Sequence, residues 1–144
     1  MRALLSAVLL ATLVAQAAPA LAEFNYLNPA QQKVRRCQDT RKAGDYSTSL
    51  QICLSAAATF KQIGDAEKRN PWYSYEVEGM MLEAAALDYA ALGRHREALD
   101  AAIQAHDLLV YTARTYPMDK GDRADVLGVA ARVARIIEAE RFRH

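Results

Sequence analysis

Apolar and polar residues alternate along this chain with the period of α-helices. In the stretch Tyr89 to Leu109, Leu92, Ala98, Leu99, Ala102, Ile103 and Ala105 form one apolar stripe, interrupted by a turn at Gly93. A weaker copy of this pattern runs from Thr40 to Ala57, with its turn at Gly44-Asp45. Five helices follow. The first begins at Asn28-Pro29, where Asn suits the cap and Pro the first helical position, and it reaches about Lys42. The second spans Tyr46 to about Ile63, with Leu50, Cys53, Leu54, Ala57 and Phe60 inward, and Gly64-Asp65 is expected to stop it. Asn70-Pro71 repeats the cap-and-proline start for a third helix to Leu92, whose alanines (Ala84, Ala85, Ala86, Ala90, Ala91) allow close neighbours and a central position. The fourth runs from His95 to Thr115. The fifth runs from about Arg123 to Arg141, with Val126, Leu127, Ala130, Val133, Ala134 and Ile137 inward and Arg123, Arg132, Arg135 and Glu138 outward. The expected fold class is all-α, built from antiparallel helical hairpins.

The first 22 residues do not fit this pattern. Met1-Arg2 is followed by an uncharged apolar run from Ala3 to Ala18, and Ala20-Leu21-Ala22 supplies the small-x-small ending that signal peptidase reads. We read residues 1–22 as a cleavable signal peptide and 23–144 as a single helical domain, placed in the periplasm or outside the cell. An uncleaved anchor is the alternative, but the run is short for a span of ~20 residues. No second run could cross a membrane. Removing Arg2 from the 18 basic residues leaves them matched by the 17 acidic ones, so a nucleic-acid footprint is not expected.

An exported chain with two cysteines invites a disulfide. Cys37 and Cys53 each stand eight residues from Asp45 in the first turn. At ~1.5 Å per residue, both lie about 12 Å from that turn on facing helices, level with each other. The other reading is two unpaired small core residues. Two Cys without nearby His cannot complete a tetrahedral metal shell, so no metal and no cofactor is expected.

The second copy resembles a tetratricopeptide repeat (TPR). Gly93, His95, Glu97, Ala98, Leu99 and Ala105 fit the returning-helix pattern, with His95 in place of the usual Tyr, and Tyr89 takes the upstream Tyr position. In the first copy Gly44, Asp45, Tyr46, Leu50 and Ala56 match, while Ser49 replaces Ala and Cys37 the small Gly. Because that small position packs on the partner helix near Cys53, the resemblance adds to the case for the disulfide. It covers about Pro29 to Leu109, and the 49 residues between Gly44 and Gly93 exceed the family's ~34. It implies a short TPR-like solenoid of about five helices, the last one capping the stack.

The resemblance also implies a ligand groove lined by the first helix of each hairpin. That groove would carry Gln31, Arg35, Gln38, Arg41 and Lys42 from the first helix and Met80, Glu83 and Leu87 from the third. Their chemistry suits a protein or peptide partner bearing acidic groups. A solvated basic face is the competing reading, as is a plain core contact for Leu87. Trp72, Tyr73 and Tyr75 form a candidate aromatic contact, or else the packing that seats the third helix. His95 and His106 lie about 16 Å apart along one helix, too far to share a metal. No serine has His or carboxylate at motif spacing, so no enzyme activity is expected. The expected function is an exported protein–protein interaction module. A self-associating envelope component, using the Ala-rich third helix, is the alternative.

Overall fold

The computed structural model describes residues 28–143; the expected signal peptide and the lead-in after it lie outside them. Among the described residues the structure is all-helical, with five helices and no strand. They are α1 (Pro29–Lys42), α2 (Tyr46–Ala66), α3 (Trp72–Ala91), α4 (His95–Thr115) and α5 (Lys120–Arg141). By its contacts the chain divides into two units, 1–32 and 33–144, with the boundary inside α1. Of the first unit, residues 28–32 are described. Here Asn28 and Gln31 form a reciprocal cap: Gln31 N–H donates to Asn28 Oδ1 (2.9 Å) and Asn28 N–H to Gln31 Oε1 (3.2 Å).

In the second unit each helix runs antiparallel to the one before it. Cys37 faces Cys53 and Lys33 faces Thr59 across α1 and α2. Ser49 meets Asp88 and Asp65 meets Tyr75 across α2 and α3. Gly79 lies on Leu109 across α3 and α4, and His95 meets Glu140 across α4 and α5. The helix starts have physical causes. Asp45 accepts from Thr48 N–H before α2, and Asp119 from Asp122 N–H before α5. The turns at Gly44 and Gly93 both adopt positive φ (80° and 73°), where a side chain would be strained.

Four boundaries differ from the sequence reading. α2 continues through Gly64 to Ala66; the Tyr75 ring sits where a Cβ on Gly64 would be, so this glycine makes room and ends nothing. Asn70 does not cap α3, because its side chain donates to Pro117 O (2.8 Å), linking two connectors. α3 ends at Ala91, one residue earlier than expected, with Leu92 as its C-cap. α5 begins at Lys120, since Asp119 is its cap. The core is made of small side chains, chiefly alanines of α2, α3 and α4 with Leu50, Phe60, Met81, Leu82 and Leu109. Several expected inward residues face outward instead: Leu92, Ile103 and Leu127 are exposed, as is Ala134. Val129 and Leu109 take the inward positions. Along α4 the narrow alanine stripe turns with the true helical period, which carries Ile103 past the contact and brings Leu109 into it.

The Cys37–Cys53 pair forms a disulfide with Cα atoms 5.1 Å apart. It closes a loop of sequence separation 16, for which the chain-entropy account gives about 3 kcal/mol. Elsewhere the close approach is set by glycine. A Cβ on Gly79 would lie 2.7 Å from two carbons of fully buried Leu109. Gly79→Ala is therefore expected to lower stability in urea denaturation by about 1–3 kcal/mol, although helix propensity alone favours Ala by ~1 kcal/mol. A stabilised variant would show that Leu109 has room to move.

Candidate functional site

The most constrained polar group lies between the first three helices. Asp88, on the inner face of α3, is fully buried. Its Oδ1 accepts from Arg41 Nε of α1 at 2.7 Å, and its Oδ2 accepts from the buried Ser49 hydroxyl of α2 at 2.6 Å. Oδ2 also lies 3.7 Å from Cys53 Sγ, which in the disulfide has no proton to donate. The Ser49 hydroxyl has one proton, and the 2.6 Å contact takes it in preference to the carbonyl of Cys37 at 3.4 Å. Arg41 is partly exposed, with 29 % of its side chain accessible. One carboxylate thus collects a donor from each of two other helices beside the disulfide.

Next to this cluster, Gln38, Arg41, Lys42 and Tyr46 line a hollow of about 300 Å³. It brings together three of the groove residues read from the sequence. The others are placed differently. Gln31 is engaged in the reciprocal cap with Asn28. Arg35 is exposed and pairs with Asp39 one turn on, at 3.3 Å. Glu83 points to α5, where Arg132 clasps it through two 3.0 Å hydrogen bonds. Leu87 is exposed at 36 % and Met80 is half-buried. The alanines Ala84, Ala85 and Ala86 are buried against neighbouring helices, which removes them as a free surface for self-association.

The aromatic residues also separate. Trp72 and Tyr73 meet edge to face with centroids 6.0 Å apart, and Tyr73 is 54 % exposed. Tyr75 turns away from them, donates to Asp65 Oδ1 (2.8 Å) and packs on Tyr116, which in turn touches Tyr111. Burial, then the bond to Asp65, raises the Tyr75 hydroxyl well above its ordinary value. Bonds from Lys61 and Tyr75 hold Asp65 below the usual carboxylate range. At the open end of the α4–α5 pair, His95 Nδ1 lies 2.8 Å from Glu140 Oε2, a carboxylate buried by the helix end. Among the described residues no group of three His, Cys, Asp or Glu is arranged to hold a metal ion.

Sequence reasoning missed Asp88, Ser49 and Glu140. One signal was present: Asp88 is a lone acid in an otherwise apolar, Ala-rich segment, and Ser49 stands where the resembled pattern has Ala. Comparison with protein-family models, with curated proteins and with solved structures finds no match for this chain.

Glu78 of α3 is buried, and its Oε2 has no hydrogen-bond partner among the described residues. Burial is the main cause of its raised pKa; Lys61 opposes the rise and Asp65 adds to it. A carboxyl whose folded pKa is raised binds its proton more tightly in the folded state. Its stabilising effect is thus complete at acidic pH and is lost as pH rises through the ordinary carboxylate range to the raised value. Glu78→Gln is expected to raise the melting temperature at neutral pH and to have little effect at acidic pH, measured by calorimetry. An equal shift at both pH values would mean that the ionisation costs nothing.

Proposed function

We propose that this protein is an exported helical-repeat interaction module of the tetratricopeptide kind, which binds an acidic segment of a protein partner over the α1 face beside α3. The observation that carries this reading is the hollow of Gln38, Arg41, Lys42 and Tyr46, with Arg41 anchored from behind by Asp88. Anchoring through Nε fixes the guanidinium plane before any ligand arrives, which lowers the ordering cost of binding. Asp88 offsets the charge of Arg41, so net attraction comes from the surrounding helix. Lys33, Arg35, Arg36, Arg41 and Lys42 stand against Asp39 and Asp88 there, five cations to two anions. The two hairpin turns with positive-φ glycines at Gly44 and Gly93 support the repeat reading. The signal-like leader and the disulfide support export to an oxidising compartment. Among the described residues no helix is long and apolar enough to cross a membrane.

Crosslinking in the producing cell, followed by affinity recovery, tests the proposal. Arg35→Glu with Lys42→Glu should reduce recovery of the crosslinked protein while lowering the melting temperature only slightly, because both side chains are exposed and the Arg35–Asp39 pair they disturb is a surface one. Arg41 is unsuited to this test, since its reversal would strand a buried carboxylate. Undiminished recovery from the double variant, or no crosslinked protein at all, would refute the reading.

A further inference from the structure

A second surface lies on the last two helices. Between α4 and the end of α5 runs an open groove of about 610 Å³, floored by Ile103, Ala134, Ile137 and Phe142. A hollow of about 410 Å³ continues it along α4, sharing His106 and Asp107 and adding Val110, Tyr111 and Arg114. Large apolar groups are open to solvent here: Ile103 is 37 % exposed, Tyr111 56 % and Phe142 84 %. Apolar groups in a concave surface rimmed by charges mark an interaction site. Tyr111 is already positioned, its ring edge-on to Tyr116 at 6.2 Å.

The order of residues along α4 specifies the occupant. Ile103, Asp107, Val110 and Arg114 follow one another at spacings of four, three and four, a single seam of the kind helices use to pair. Asp107 stands three residues before Val110, and Arg114 three after Tyr111. If a second α4 is laid antiparallel, with a two-fold axis passing between Val110 and Tyr111, Asp107 of each copy faces Arg114 of the other. Val110 then faces Tyr111 twice. A parallel arrangement would set like charges against each other. The face is therefore complementary to itself in one orientation, as a two-fold interface requires. Both charges are free for it. Asp107 is 76 % exposed and its one ion-pair contact among the described residues is with its neighbour His106 at 3.4 Å, and Arg114 forms no ion pair among them. The antiparallel arrangement also carries the end of the second copy's α4 over the Ile103–Phe142 groove.

We propose that this face of α4, with its groove against α5, is where a second copy of the chain docks to form an antiparallel two-fold dimer. The surface is separate from the α1 face proposed to bind a partner, so either can hold without the other.

Sedimentation equilibrium of the protein purified after expression of the full chain tests the proposal. The wild type should be a dimer. Asp107→Arg or Arg114→Asp, each turning two attractions into two repulsions, should raise the dissociation constant on the order of tenfold or more. The double variant Asp107→Arg/Arg114→Asp should recover wild-type association, and helical circular dichroism should be equal in all four proteins. A monomeric wild type at about 100 μM, well above the dissociation constants of specific dimers, would overturn the proposal. So would single reversals that leave the dimer intact, or a double variant that fails to recover. If the wild type is monomeric while Tyr111→Asp abolishes a crosslink to a different protein, the face belongs to that protein and the proposal is overturned.

Discussion

The carboxylate of Asp88 is the constraint on which the arrangement of the first three helices depends. A buried ionised carboxylate costs several kcal/mol unless charged and neutral donors meet it with good geometry. Here the donors come from different helices, Arg41 from α1 and Ser49 from α2. A slide of either helix by one residue would break a 2.6–2.7 Å bond and leave the charge uncompensated. The neighbouring disulfide acts in another way, by restricting the unfolded chain. It fixes which residues of α1 and α2 are level, while Asp88 fixes where that hairpin sits on α3.

The need for such ties follows from the core. Its side chains are mostly alanines, which bring helices close but bury little area and interlock weakly, so apolar packing alone specifies register poorly. Polar links recur elsewhere in the stack: Glu83 with Arg132 between α3 and α5, His95 with Glu140 between α4 and α5, Asn70 with Pro117 between two connectors. Gly79 beneath Leu109 is the steric counterpart, a close fit that holds α3 and α4 in one position. The buried alanines of α3 offer no free surface, and the two hollows taken as sites lie on α1 with the start of α2 and on α4 with α5. The two proposed sites divide along this line.

The helices, their turns and the Cys37–Cys53 bond were legible in the sequence because each rests on local chemistry: Gly44 and Gly93 in turns, Asn28 as a cap, two cysteines equidistant from one turn. What could not be read depends on which way a helix is turned. Ile103 and Leu127 fit an inward stripe within the tolerance of a 3.6-residue period, yet the true contact passes on their other side. The role of Asp88 was not legible, since nothing near it in the chain announces Arg41, 47 positions earlier. Of the candidate groove, Gln38, Arg41 and Lys42 came together because they share one helical turn. Glu83 did not join them, because its partner Arg132 lies on a helix whose position no local pattern specified.

The most direct measurement is hydrogen exchange of the α1 amides in an Asp88→Ala variant with the disulfide intact. If Asp88 holds the hairpin on α3, residues 33–42 should lose protection while α4 and α5 keep theirs, and stability should fall by about 1–3 kcal/mol, since the variant leaves the buried Ser49 hydroxyl without its acceptor while Arg41 stays partly open to water. Unchanged protection in α1, with a loss below about 1 kcal/mol as for an exposed ion pair, would contradict the account.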